Sequence, residues 1–235
     1  MSSADNNVSL RKTARLTGAL YFIWILTGLF SLMYVPSHTM VHGDAVGTAK
    51  KMLANEFLFR TSLINNIVSS AIWVVLVLLL HRIFKKVNER TAKLLVALVI
   101  VQIPVAFVMG AFDITALMIF KGEILQTFEP IRRQDIAMLF LKVNDNATTT
   151  LIMFWGLWLL PFGQLVYKSG FIPRIFGWCL FIGGIGWIID SIVILLFPSY
   201  SPFISTYVMA TGTIGEIPIM LWFLIMGVKN NYVKN

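Results

Sequence analysis

The chain has few charged residues and almost no cysteine. Only 13% of its 235 residues are Asp, Glu, Lys or Arg, whereas a soluble domain carries about 25%. The single Cys179 excludes an intramolecular disulfide and a CxxC metal motif. The GxSxG, GxGxxG and P-loop patterns are also absent from the sequence. These absences argue against a soluble hydrolase, dinucleotide-binding or nucleotide-binding enzyme.

Long apolar runs dominate what is present, since 57% of the residues are hydrophobic. Six continuous runs lie at about residues 16–35, 60–80, 94–120, 147–167, 174–197 and 203–228. Each is long enough to cross the roughly 30 Å hydrocarbon core as a helix. Strands of a membrane barrel would instead alternate in polarity. The sequence therefore predicts an all-α polytopic membrane helix bundle of about six transmembrane helices, with residues 1–235 forming a single integral membrane domain.

Basic residues between the runs predict the orientation. With a cytoplasmic N-terminus, twelve Lys and Arg fall on the inner side, within residues 11–15, 82–93, 168–174 and 229–234. Seven fall on the outer side, within residues 50–60 and 121–142. Because cytoplasmic loops are enriched in Lys and Arg, we expect both termini inside. The net charge of +8 is then explained by lipid head groups, and no nucleic acid is expected as a partner.

Two outer loops contain amphipathic patterns. In the first loop, apolar residues recur at helical spacing from Ala45 to Phe57, and Asp44 precedes them as a candidate N-cap. In the third loop, a similar pattern follows Pro130. We expect a short surface helix in each loop. The two helices act either as a lid over the outer face or as simple interfacial anchors.

Acidic residues inside the apolar runs are the main functional signal. Asp190 and Glu216 lie within the fifth and sixth runs, and Asp113 lies near the outer end of the third. A charged group at the bilayer centre costs roughly 2.5–3.5 kcal/mol, so it needs a partner or water. Asp190 shares a helix face with Gly186, and Glu216 shares one with Gly212. Because small residues mark close helix contacts, both acids are expected to point into the bundle.

Further polar residues are predicted at a similar depth, in the outer half of the membrane. The expected polar cluster consists of Glu216, Asp190, Asp113, Asn66, Arg60, Glu56, Asn65 and Asp145. One interpretation is an outward-opening pocket with Arg60 as a counter-ion. The alternative is that the acids pair with Arg60 or with Asn and Ser side chains and only fix helix packing.

Several segments resemble a known family. They are Lys168 to Gly177, Asp44 to Thr48, Glu56 to Arg60, Asp190-Ser191, and Glu216 followed by Leu221-Trp222 and Gly227-Val228. Together they look like the bacterial membrane family called domain of unknown function 4386. The resemblance implies a six-helix bacterial membrane protein and implies no activity, substrate or cofactor. It singles out Glu56, Arg60, Arg174, Asp190 and Glu216 as matching the polar pattern of the family.

Three functions remain open from the sequence. The first is binding or movement of a small polar or cationic solute, or of a lipid head group, at the polar cluster. The second is an intramembrane enzyme that uses Glu216 or Asp190 as a general base on a lipid-like substrate, and the third is a structural membrane protein without a ligand. No cofactor or metal is expected, because His38 and His42 have no further ligand pattern. The expected location is the bacterial cytoplasmic membrane, with membrane lipids as partners and the oligomeric state open.

Overall fold

A computed structural model describes residues 3–228 of the chain, with side chains from residue 10 onward. Lys229 and Lys234, which enter the orientation count, lie outside the described residues. The α-helices are α1 (Ser3–Leu29), α2 (Val35–Thr39), α3 (Ala45–Ala54), α4 (Glu56–Phe84), α5 (Glu89–Ile100), α6 (Gln102–Lys121), α7 (Pro130–Ser169), α8 (Arg174–Leu196) and α9 (Ser201–Ile225). A π-helical turn at Phe30–Tyr34 joins α1 to α2, and a 3₁₀ turn at Pro198–Tyr200 precedes α9. The all-α prediction is confirmed for the described part of the chain.

Six segments within the described residues are long and apolar enough to cross a membrane. They are Leu10–Thr39, Glu56–Phe84, Glu89–Lys121, Pro130–Ser169, Arg174–Leu196 and Pro198–Ile225. The predicted number of spanning helices is therefore confirmed, and the chain is a multi-pass membrane protein. The N-in and C-in orientation stays a prediction.

The third spanning segment is interrupted near Pro104. Helix α5 ends at Ile100, Val101 forms a turn, and α6 begins at Gln102. Pro104 has no amide hydrogen to donate to the carbonyl of Ile100, four residues earlier. At the same break, the side-chain Nε2 of Gln102 donates to the carbonyl of Leu98 at 2.7 Å. The regular α-helix is thus interrupted a few residues before a proline that removes a helical hydrogen bond.

The two outer-loop patterns form helices of different kinds. Helix α3 is short and separate, and Oδ1 of Asp44 accepts a hydrogen bond from the Gly47 amide at 2.8 Å as its N-cap. The segment after Pro130 is also helical, but it continues without a break into the fourth spanning segment as α7. At 40 residues, α7 is about 60 Å long, twice the thickness of the hydrocarbon core. The surface position of these segments stays a prediction.

The described residues group into two compact units. Unit 1 contains the described residues up to Ile23, Ile72–Gln102, and the described residues from Thr149 onward. Unit 2 contains Trp24–Ala71 and Ile103–Thr148. The expectation of a single domain over residues 1–235 stays a prediction.

Aromatic rings form the core of unit 1. Trp158 and Phe162 of α7 stack with ring centroids 5.7 Å apart, and Phe162 contacts Phe84 and Phe223 at 6.0 and 6.4 Å. All four side chains are buried. Large rings give these helices a large packing contact, and such contacts stabilise helix association in lipid, where no hydrophobic drive acts between helices. Trp158 therefore has a packing role.

Aliphatic and phenylalanine side chains form the core of unit 2. One cluster of buried apolar residues includes Met52 of α3, Phe59 of α4, Leu117 and Phe120 of α6, and Leu141 of α7. Helix α3 thus has an apolar face that packs against protein, which is consistent with its amphipathic pattern.

Candidate functional site

Glu216 lies deep in α9 and is held by a residue near the opposite end of the chain. The hydroxyl of Tyr21 in α1 donates to Oε2 of Glu216 at 2.5 Å. Tyr21 is fully buried, and Glu216 is partly buried. The first residue of α9 is 15 positions away, which places Glu216 about 22 Å along the helix. A carboxyl group at this depth is costly unless a donor or a cation satisfies it.

A glycine in α1 brings Tyr21 within reach of α9. A Cβ atom on Gly18 would lie 2.6 Å from Cα of Leu224 and 2.7 Å from the carbonyl carbon of Phe223. Only a residue without a side chain permits this backbone contact. Tyr21 follows Gly18 by nearly one turn, so it lies on the same face of α1 and meets Glu216, two turns before Leu224.

A tryptophan of α8 packs on α9 one turn before Glu216. The indole of Trp187 packs on Gly212, where a Cβ atom would lie 2.7 Å from Nε1 of Trp187. Trp155 of α7 supports this indole in an edge-to-face contact with centroids 5.7 Å apart. Gly212 precedes Glu216 by one turn, so the two residues share a face of α9. We call Glu216, Tyr21, Gly212 and Trp187 the Glu216 site.

Asp190 forms a second hydroxyl–carboxyl pair in unit 1. Its side chain is only 3% exposed, and its Oδ1 accepts a hydrogen bond from Ser205 of α9 at 2.5 Å. Gly183 and Gly186 on the same face of α8 are buried, in agreement with the inward orientation that their spacing predicts. A Cβ atom on Gly183 would lie 3.3 Å from Cα of Gly215. Glycines thus let α8 and α9 approach closely enough for this bond.

Neither intramembrane acid of unit 1 has a positively charged partner. Within residues 10–228, no Lys, Arg or His forms an ion pair with Glu216 or Asp190. Arg60, the counter-ion expected from the sequence, pairs with Glu56 on its own helix at 2.7 Å. Both acids are therefore hydrogen-bonded to neutral hydroxyl groups and have no cationic partner among residues 10–228.

The remaining candidate residues belong to unit 2. Glu56 accepts from Arg60 and also from Lys121 at 3.1 Å, and Lys121 reaches Glu123 at 2.8 Å. The Arg60 side chain is 49% exposed, so solvent or head groups screen this network. The network fixes the first turn of α4 near the last turn of α6.

Asn65 is the centre of a polar contact between α4 and the first spanning segment. Its Nδ2 donates to the carbonyl of Thr27 at 2.9 Å and to the hydroxyl of Ser31 at 2.7 Å. Thr27 in turn donates to Ser69 at 2.9 Å. Asn66, the next residue of α4, is partly buried. These bonds satisfy backbone and side-chain groups in unit 2, as interhelical hydrogen bonds of membrane proteins do.

Asp113 lies in α6, where Asn144 of α7 reaches it with its side chain. The same amide donates to the carbonyl of Met109 at 3.1 Å. Asp113 is partly buried, whereas Asp145 is exposed. Asn144 and Asp145, which precede the fourth apolar run, therefore lie inside α7, and Asn144 contacts α6.

The structure thus assigns the eight predicted residues to different units. Asp190 and Glu216 lie in unit 1, and the other six lie in unit 2. Their convergence on one site stays a prediction. Sequence reasoning missed Tyr21 and Ser205, the two hydroxyl donors. A tyrosine in the middle of an apolar run was the available signal, because a buried phenol needs a hydrogen-bond partner.

No group of three His, Cys, Asp or Glu side chains within the described residues is arranged to hold a metal ion. His38 instead packs on the ring of Tyr34, with centroids 4.4 Å apart. Its Nδ1 lies 2.8 Å from the carbonyl of Tyr34 and 3.0 Å from the hydroxyl of Ser37. Nδ1 of His38 therefore has hydrogen-bond partners within its own turn of the chain.

Comparison with known proteins gives a family and no activity. An uncharacterized protein of Archaeoglobus fulgidus is 38% identical over 77 residues, which is 33% of this chain and 44% of the relative. The match thus covers less than half the length of that relative. No solved structure matches the chain. The family model described as Domain of unknown function (DUF4386) matches residues 16–227, which include Tyr21, Trp187, Asp190 and Glu216. The chain therefore belongs to the DUF4386 family.

Proposed function

We propose that this multi-pass membrane protein binds a small organic cation at the Glu216 site, either as a free solute or as a lipid head group. The observation that carries the proposal is the state of Glu216. Its carboxyl group lies deep in a spanning segment, its hydrogen-bond partner is the neutral Tyr21, and no cation pairs with it within residues 10–228. A cationic ligand would supply the missing charge.

Aromatic rings around the site favour an ammonium ion over a hydrated metal ion. Tyr21 contacts Trp158 with centroids 6.2 Å apart, and Trp187 contacts Trp155. Faces of Trp and Tyr attract cations, and quaternary ammonium groups are bound in cages of such rings. A carboxylate beside aromatic rings is complementary to an alkylammonium group, which is both charged and partly apolar.

Tyr21 is proposed to act as a placeholder at the Glu216 carboxyl group. Its hydroxyl occupies the position at Glu216 that the cation takes, and it moves aside when the ligand binds. A neutral donor gives the carboxyl group a hydrogen bond but no counter-charge. Exchange of this donor for a cation would therefore add a favourable charge interaction.

The proposed orientation defines the side of entry. With both termini inside, as the Lys and Arg distribution predicts, Asp190 lies in the outer half of α8 and Glu216 near the middle of α9. A cation would then reach Glu216 from the outer side, past Asp190. The proposed location is the bacterial cytoplasmic membrane.

The test compares cation binding by matched glutamate variants. Tetramethylammonium chloride is added to the full chain in lipid nanodiscs, with sodium chloride of equal ionic strength as the reference. We expect it to raise the melting temperature of the wild type by several degrees. Glu216→Gln keeps an acceptor for Tyr21 but removes the charge, so it should abolish the rise. Glu123→Gln makes the same change at the exposed ion network of unit 2 and should leave the rise intact.

The outcome decides between binding and a second candidate, a purely structural role. Both acids of unit 1 are hydrogen-bonded to hydroxyl groups of a different helix, and this observation favours helix cross-linking. If neither wild type nor Glu123→Gln is stabilised by tetramethylammonium at any concentration up to its solubility, the structural role stands and cation binding fails. An equal rise in Glu216→Gln would also refute the site.

A further inference from the structure

The indole of Trp187 carries a hydrogen-bond donor that the protein does not use. Its Nε1 is buried and has no acceptor within residues 10–228. A buried N–H group of this kind is unusual, since most buried polar atoms are satisfied. In a spanning segment no bulk water replaces the missing acceptor. The donor is therefore available to a bound molecule.

Trp187 packs on α9 at Gly212, one turn before Glu216. A Cβ atom on Gly212 would lie 2.7 Å from Nε1 of Trp187, so the indole edge fills the space that a side chain would take. Side chains of a helix lean toward its N-terminus, and Glu216 therefore lies over the turn that contains Gly212. The indole donor thus contacts α9 one helical turn before Glu216, on the same face of the helix, and it is not bonded to the carboxyl group.

We propose that the ligand of the Glu216 site is a zwitterion, with an acceptor oxygen beside its cationic group. The ammonium group pairs with Glu216, and a carboxylate or phosphoryl oxygen accepts the hydrogen bond from Trp187. This inference rests on the proposed cation binding and adds the second half of the ligand. Its physical basis is complementarity. The Glu216 carboxyl group matches the cationic group of a zwitterion, and the Trp187 N–H group matches its acceptor oxygen.

Three probes that share a trimethylammonium group separate the two halves of the ligand. They are tetramethylammonium, glycine betaine and dihexanoylphosphatidylcholine, each added to the full chain in nanodiscs of phosphatidylglycerol. We expect at least one of the two zwitterions to bind about tenfold more tightly than tetramethylammonium, the scale of one hydrogen bond to a charged group. Preference for betaine identifies a free solute, and preference for the short phospholipid identifies a head group.

Matched variants assign this preference to Trp187. Trp187→Phe keeps a ring on Gly212 but removes the donor, so it should lower the affinity for the zwitterion more than the affinity for tetramethylammonium and thereby abolish the zwitterion preference. Trp178→Phe, at an exposed tryptophan of the same helix, should behave as wild type. If tetramethylammonium binds in a Glu216-dependent manner while Trp187→Phe retains the preference, the zwitterion inference is wrong and cation binding stands. If tetramethylammonium does not bind, both fail.

A measurement on the unmodified chain covers the case in which Trp187→Phe does not fold. The seven tryptophans give seven indole N–H resonances when they are labelled with nitrogen-15. A zwitterion should shift one indole resonance that tetramethylammonium leaves in place, because only the zwitterion supplies an acceptor. Identical spectra with both kinds of probe would overturn the inference.

Discussion

At the scale of single residues, Tyr21 and Glu216 show how a membrane protein stores a buried carboxyl group. The phenol of Tyr21 in α1 is fully buried, and its hydroxyl donates a hydrogen bond to Glu216 in α9. Neutral donors are weaker partners than cations, so this bond holds the carboxyl group in place and does not supply a counter-charge. Asp190 and Ser205 repeat the arrangement between α8 and α9.

Replacement of Tyr21 tests the placeholder role. Tyr21→Phe removes the donor, and we expect the cation-free protein to lose about 1–2 kcal/mol of unfolding free energy, the upper range for hydrogen bonds between membrane helices. Tetramethylammonium should then stabilise the variant more than the wild type, since no phenol has to be displaced. Unfolding in mixed detergent and SDS, with and without the cation, measures both effects.

The control for this prediction is Tyr34→Phe, which removes a hydroxyl from an exposed tyrosine. It should change neither the unfolding free energy nor the response to the cation. A smaller cation response in Tyr21→Phe than in wild type would contradict the placeholder role, because it would mean that the hydroxyl contributes to binding.

The depth of the acids was predictable from the sequence, but their partners were not. Position within an apolar run and the spacing of Gly186 and Gly212 indicated that Asp190 and Glu216 lie deep and face other helices. Tyr21 and Glu216 are separated by 195 positions, and only the pairing of α1 with α9 brings them together. No local pattern in either helix encodes that pairing.

At the scale of helices, glycines determine which pairs approach closely. Gly18 of α1 meets the backbone of α9, and Gly183 of α8 meets Gly212 and Gly215 of α9. Without a hydrophobic drive in lipid, such contacts gain dispersion energy by bringing backbones together. Helix α9 thus contacts α1 on one side and α8 on another, and Glu216 lies between these two contacts.

Enlargement of Gly18 should separate α1 from α9. In Gly18→Ala the new methyl group would overlap the backbone at Leu224, and we expect a loss of about 1–3 kcal/mol of unfolding free energy, as for other overpacked sites. Because Tyr21 and Glu216 move apart, their hydrogen bond should weaken as well. Gly28→Ala on the same helix is the matched control, since a Cβ atom there meets nothing within 4 Å. Equal stability of the two variants would show that the α1–α9 contact is looser than described.

Helix ends were harder to predict than helix number. The sequence predicts a short surface helix after Pro130 and a separate spanning run from about residue 147, yet α7 runs from Pro130 to Ser169. Polar side chains do not stop a helix when its backbone bonds continue, and a breaker was missing at that point. The break before Pro104 was predictable, because proline removes a backbone donor.

At the scale of the whole molecule, family membership and the number of spanning segments agree. The DUF4386 match covers residues 16–227, and all six spanning segments overlap that range. Apolar runs are a strong signal because lipid requires every spanning backbone to satisfy its own hydrogen bonds. The division into two units follows from interhelical packing, which apolar composition does not encode.

Orientation determines which side of the membrane supplies the ligand, and single cysteines test it. In a Cys179→Ala background, one cysteine is placed at His42, Lys86 or Gln126, which are exposed positions between spanning segments. The excess of Lys and Arg around Lys86 predicts that its loop is cytoplasmic. A membrane-impermeant maleimide should therefore label His42→Cys and Gln126→Cys in intact cells, and Lys86→Cys only after permeabilisation. Labelling of Lys86→Cys in intact cells would show that the orientation is the reverse of the predicted one. Asp190 would then lie on the cytoplasmic side of Glu216. Cation entry would occur from the cell interior, while the chemistry of the Glu216 site would be unchanged, since it depends on contacts within unit 1 alone.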